Sequence, residues 1–480
     1  MKLTRLFLIA ALLLACRMTV SAKVILPPII SDNMVLQRQS KVCLWGNATA
    51  GAKVTVKPSW CNRTFKAKAD NATGKWELYI ATPKAGGPFE ITFSDGESIT
   101  IKNVLIGEVW FASGQSNMEM TMTGYGVKIL GVDETLATAK ASRPIRICKI
   151  ADQSSITVMD SVGADWMDNT PDAIEKTSAV AYFFADALQK VLGVPVGIIT
   201  SSRGSSSIQS WMTQEVLEKK FPEVDLGSVK GEHPVVNELQ DPCMLYNGMV
   251  APIIPFTFKG ILWYQGETNR EHPEQYIRLQ KEYVAMMRRL FKAPDAPFYF
   301  VQIAPWHYSD PTNYQNGYFN EGQQKSLKVI PNSGMVSTCD IGSYVTIHPA
   351  HKREVGQRLA LLALQKDYGF SHINAESPSV KSISFNGDKA SIIFNVDKLM
   401  TGIVSDEITG FELAGEDKVF HPAEAVLDRV NPSRIIVSSK DVSNPVAIRY
   451  CFRNWCKGNL YSTFGTPVAP FRTDDWNVMH

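Results

Sequence analysis

Four nearly continuous apolar runs constrain this chain more than any other feature: residues 104–112, 197–200, 260–264 and 298–303. A strand covered on both faces reads as unbroken hydrophobicity rather than as alternation. Between these runs, residues 178–192 and 274–290 carry apolar side chains at helical spacing, such as Val180, Phe183, Phe184, Ala187, Leu188 and Val191. Buried strands alternating with amphipathic helices predict a parallel sheet with helices on both faces, an α/β domain over residues 104–372. Residues 23–103 instead show short period-two runs at 41–45, 53–56, 76–80 and 89–93, separated by Gly-Asn, Gly-Gly and Asp-Gly pairs. That texture predicts a small N-terminal β-sandwich module. Alternation returns at 382–385, 390–394, 434–437 and 446–452, so residues 373–480 form a C-terminal β-region, with residues 410–415 at a sheet edge.

At 480 residues the chain has room for about three such units. Lys plus Arg is 49 against 47 Asp plus Glu, a net charge of +2, which gives no basic surplus for nucleic acid. Lys2 and Arg5, an apolar run over 6–15 and small residues ending at Ala22 read as a secretory signal peptide over residues 1–22. The expectation is export to a periplasmic, lumenal or extracellular space. An alternative is lipoprotein processing at Leu13-Leu14-Ala15-Cys16, with an anchor on Cys16. No later run is long and apolar enough to span a bilayer. The seven remaining cysteines are odd in number, so at least one thiol stays free. Cys43 with Cys61 and Cys451 with Cys456 are local enough for bridges; buried free thiols are the alternative. Asn47, Asn62 and Asn71 each open an Asn-x-Thr triplet, of consequence only in a host that glycosylates them.

The residues that carry chemistry follow the strand-like runs. Gly114-Gln115-Ser116-Asn117-Met118 comes just after the first, where open α/β folds place their sites. There the Ser116 hydroxyl is exposed to a ligand and its N–H faces a developing oxyanion, although the pentapeptide read alone is also an ordinary turn. After the second run, Arg203-Gly204-Ser205 offers a Gly204 N–H as a second donor; a flexible Ser-rich loop is the alternative. After the third, Gln265-Gly266-Glu267-Thr268-Asn269 offers the Gln265 amide as a third donor, with Glu267 and Asn269 as organisers or substrate contacts. The competing reading is an N-cap cluster. A serine nucleophile needs a base, and among eight histidines His348, followed by Pro349 at a helix start, is the choice; His351 is the competitor.

These four segments, in this order, resemble the sialate O-acetylesterase family of the SGNH hydrolases, over most of the mature chain. The resemblance implies an SGNH-type parallel-sheet core and a carbohydrate O-acetylesterase, foremost a sialate 9-O-acetylesterase, with Ser116 as nucleophile and His348 as base. It implies an oxyanion hole of Ser116, Gly204 and Gln265, substrate contacts at Asn117, Arg203, Glu267 and Asn269, an O-acetylated glycan as partner, and no metal or organic cofactor. Two positions depart from the pattern. Where an acid commonly precedes the histidine by two or three residues, this chain has Thr346 and Val345. The third triad member is then a backbone carbonyl, giving a dyad, or a remote acid such as Asp340. Arg203 stands where a tryptophan or small residue is usual, either to meet a substrate carboxylate or to pair with Glu267 or another acid. Two rivals remain: an acetyl esterase on xylan or another plant polysaccharide, and a carbohydrate-binding surface protein without catalysis.

Overall fold

The structure is a computed structural model that describes residues 24–402 and 407–476. The signal peptide over residues 1–22 and the Cys16 alternative lie outside the described residues.

The N-terminal module is two small antiparallel sheets. Strands Lys41–Asn47 and Lys75–Ala81 form one; Lys53–Pro58, Phe65–Lys68, Gly86–Ser94 and the first part of Ser98–Gly114 form the other. Alternation turns Val42, Leu44, Trp76 and Ile80 of one sheet, and Val54, Val56, Ile91 and Phe93 of the other, into a shared interior. Ser98–Gly114 then continues without interruption as the central strand of the α/β core. Its first part is half-exposed and alternating, whereas from Val104 onward every residue is buried.

The core sheet runs Ser333–Val336, Phe298–Val301, Gly260–Tyr264, Ser98–Gly114, Val196–Ser202, Ile145–Ile150, Ala164–Asp168. All neighbours are parallel except the last pair. Helices Ala179–Leu192 and Lys352–Asp367 cover one face, where Trp110 and Ala112 meet Val180, Phe184, Leu359 and Ala363. Helix Pro273–Leu290 covers the other, where Phe111 and Trp263 meet Tyr283 and Met287. Helix Ala179–Leu192 starts where the Ser178 hydroxyl accepts the Ala181 N–H at 3.1 Å and stops at Gly193, which is left-handed at φ 64°.

The C-terminal region is a seven-stranded antiparallel sheet with its own core, including Ile392, Phe411, Leu413 and Ile448. Strand Ile408–Ala414 pairs on both sides, with Phe420–Leu427 and Ala447–Tyr450, so residues 410–415 are interior rather than at an edge. All seven described cysteines are free, Cys43 and Cys61 included. The Cys451 and Cys456 sulfurs lie 3.2 Å apart. Among the described residues, no helix is long and apolar enough to cross a membrane.

Candidate active site

Each chemistry-bearing segment leaves the carboxyl end of a parallel strand. The next two core strands in sequence after Ala164–Asp168, namely Val196–Ser202 and Gly260–Tyr264, fall on opposite sides of Ser98–Gly114. The crevice of this open sheet therefore lies where Ser116 emerges. The turn that delivers Ser116 is locked from below. Gly114 has φ 142°, and a β-carbon there would come within 2.1 Å of the Tyr264 carbonyl oxygen, so no larger residue fits. Gln115 donates its N–H to that same oxygen at 2.9 Å and accepts the Gly266 N–H on its side-chain oxygen at 3.1 Å. A single helical turn, Ser116–Glu119, follows. The N–H groups of Ser116 and Asn117 open that turn and have no acceptor within it.

Asn117 is fully buried and binds three segments at once. Its amide nitrogen donates to Glu267 Oε1 at 2.6 Å and to the Ile347 carbonyl at 3.1 Å, and its oxygen accepts from Lys352 Nζ at 2.6 Å. The residue after the serine is thereby tied to the residue before His348. Asn117 thus spends both its amide nitrogen and its oxygen on the protein. Asn269 is likewise internal: it accepts from the Ile208 N–H and from Gln265 Nε2 and donates to Gln209 Oε1. Gln265 spends its amide nitrogen on Asn269 Oδ1 at 2.8 Å and the Ser206 carbonyl at 3.2 Å. With both N–H groups engaged and the side chain fully buried, Gln265 holds the 203–209 loop and has no donor left for an oxyanion.

That loop is ordered by such bonds despite its serines. Ser206 Oγ donates to the Arg203 carbonyl and accepts from Trp211 Nε1, and Ser207 Oγ donates to the Gln240 carbonyl. Gly204 sits against Ser116: a β-carbon there would stand 3.5 Å from Ser116 Cβ. Its N–H donates to Glu119 Oε2 at 2.7 Å, so this donor is occupied in the resting site. Arg203 pairs with Asp152 at 3.1 Å and Glu119 at 3.5 Å, not with Glu267.

His348 is partly buried, its ring edge-on to Tyr125 at 5.1 Å. Its N–H donates to Thr346 Oγ1 at 3.1 Å, so the residue standing in the acid's place shapes the turn. Among the described residues neither ring nitrogen has a hydrogen-bond partner. Asp340 is not the third member: it is buried and bound by both arms of Arg358, at 2.9 and 2.6 Å. His351 is engaged by Glu354 at 3.0 Å. Burial and the Lys352 ammonium hold the His348 imidazole down to about 4, so it is neutral at pH 7. Burial likewise holds Lys352 down to about 7 against the pull of Glu267, whose own carboxyl burial pushes up.

Sequence reasoning missed Lys352, Glu119 and Tyr125. Lys352 had a signal, because a lysine at the first position of helix Lys352–Asp367 opposes the helix dipole and needs a specific partner. Glu119, three residues after Ser116, shares its helical turn and so its face. Tyr125 had no signal. Among the described residues no group of three or more His, Cys, Asp or Glu gathers to hold a metal ion.

A serine on a strand-to-helix turn, a neutral histidine and backbone donors at the mouth of a parallel sheet define an α/β ester hydrolase. Residues 106–365, more than half the chain, match the carbohydrate esterase, sialic acid-specific acetylesterase family, and the chain belongs to that family. It is similar to the sialate O-acetylesterase of Mus musculus, 25% identical with 92% of this chain and 93% of the mouse protein covered. The Homo sapiens sialate O-acetylesterase is 28% identical over 75% of this chain and 74% of its own. A solved carbohydrate acetylesterase from Xanthomonas citri superimposes with a TM-score of 0.84 at 32% identity, over 95% of this chain and all of that one.

Proposed function

We propose that this esterase is exported and removes O-acetyl groups from sialic acids through a Ser116–His348 dyad on an SGNH-type core. Ser116 Oγ attacks the ester carbonyl carbon while His348 takes its proton; the carbon–oxygen bond to the sugar breaks, and the proton passes to the leaving alcohol. Water then attacks the acetyl-enzyme with the same base, releasing acetate and restoring the serine. The Ser116 N–H meets the oxyanion. Gly204 N–H joins it when the Glu119 carboxylate turns fully onto Arg203, which already holds its other oxygen. Gln265 and Asn269 act behind the donors, as positioning residues.

The observation that carries this reading is the Asn117 clamp, which binds the turn of Ser116 to the loop of His348 across 230 residues of chain. Replacing Ser116 with Ala abolishes acetate release from O-acetylated sialic acid; retained turnover overturns the assignment. One observation favours a neutral plant polysaccharide instead: the Arg203 guanidinium beside Ser116's turn is matched by Glu119 and Asp152. Acetate release from mucin sialic acids and from acetylated xylan, measured in parallel, separates the two.

A further inference from the structure

Three aromatic rings stand together on loops beyond the carboxyl end of the core sheet, the end from which Ser116 also emerges. The loops leaving strands Phe298–Val301 and Ser333–Val336 bring His307 and Tyr344 to 4.9 Å between centroids, with planes 34° apart. Trp455, from the C-terminal region, meets Tyr344 edge-on at 5.4 Å. Tyr344 lies four residues before His348 and is 48% exposed. None of the three rings belongs to a hydrophobic core. Tyr308, next to His307, is stacked under the Arg270 guanidinium at 3.8 Å.

The position of Trp455 is built. Its N–H donates to the Pro311 carbonyl at 3.1 Å. Its neighbour Asn454 is buried: it accepts the Trp306 N–H on its carbonyl and the Asn316 N–H on its side chain, and donates to the Asp310 and Asn313 carbonyls. A segment without regular structure is thus fastened to the catalytic domain at the point where it presents an indole. Loose surface aromatics do not need such fastening.

A pyranose ring is amphipathic: hydroxyls point around its edge, while axial C–H groups make its faces apolar and slightly positive. The negative face of an aromatic ring complements such a surface by dispersion and quadrupole attraction. With Arg203 neutralised, recognition on these loops is aromatic. We propose that Tyr344, His307 and Trp455 form a stacking ledge for the sugar ring of the acetylated glycan, so that the C-terminal region completes the substrate site. This rests on the esterase reading above.

The test is the ratio of kcat/KM on an O-acetylated sialyl oligosaccharide to that on p-nitrophenyl acetate, which has no sugar. Tyr344→Ala and Trp455→Ala each lower that ratio about tenfold through KM, and Tyr344→Phe restores it to within about twofold, because the ring and not the hydroxyl makes the contact. A ratio that stays at the native value in Tyr344→Ala, on this substrate and on acetylated xylo-oligosaccharide, overturns the ledge. Failure of the esterase reading shows separately, as p-nitrophenyl acetate turnover that survives Ser116→Ala.

Discussion

His348, the proposed base, has no carboxylate on its ring nitrogens among the described residues and the Lys352 ammonium nearby, which sets where activity should fail in acid. An imidazole with the ordinary value of 6.5 is about 3% unprotonated at pH 5, whereas one held at about 4 is about 90% unprotonated, a thirtyfold difference in competent enzyme. The sign follows from the cause: burial and Lys352 disfavour the imidazolium, so the neutral form persists to lower pH. The acidic limb of kcat/KM for p-nitrophenyl acetate therefore falls near pH 4. Lys352→Met removes the smaller of the two causes. Burial is the larger cause, so the limb moves upward yet stays nearer pH 4 than the ordinary imidazole value of 6.5. Initial rates from pH 3.5 to 8, with near-ultraviolet circular dichroism to verify the fold, give both limbs. A native limb above pH 6, or a limb that moves downward in Lys352→Met, refutes the reasoning.

Three further outcomes follow from the same geometry. Asn117→Leu strands a buried ammonium and a buried carboxylate and frees the His348 loop; kcat/KM falls about a hundredfold or more, and the unfolding midpoint in urea drops with it. Asp340→Asn breaks a buried bidentate ion pair and costs about 3–5 kcal/mol by urea titration, yet leaves the acidic limb where it was; a moved limb would identify Asp340 as part of the catalytic relay. Gly114→Ala forces a β-carbon onto the Tyr264 carbonyl and yields little soluble protein, measured as the folded fraction after expression beside Gly96→Ala, where a β-carbon meets nothing within 4 Å.

The central strands were legible because a two-sided core writes itself as unbroken apolar runs. Helix Gln315–Val329 was not, because the face it buries is polar: Asn316, Asn320, Gln323 and Ser326 point inward, and Gln323 ties down Ile303 and Val301. Hydrophobic periodicity has nothing to report for such a helix. Strand Ser333–Val336 was too short to show a pattern. In the site, position in the fold was readable and partnership was not. Ser116 and His348 stood out because their chemistry is scarce at strand ends. Asn117 and Asn269 read as substrate contacts, and Gln265 as an oxyanion donor, because a polar side chain carries no mark of whether its partner is ligand or protein. Only the folded chain shows their hydrogen bonds already spent. The charge of Arg203 was plain in the sequence, but Asp152, 51 residues away, and Glu119 had to be brought to it by the sheet.

The strand Ser98–Gly114 begins in the N-terminal module and ends at the turn that carries Ser116. A single strand thus has one end in each unit, paired with Gly86–Ser94 in the module and with Val196–Ser202 and Gly260–Tyr264 in the core. A fragment begun at residue 104 would lose the pairing of the strand's first part with Gly86–Ser94, and with it the anchorage of the segment that carries Ser116.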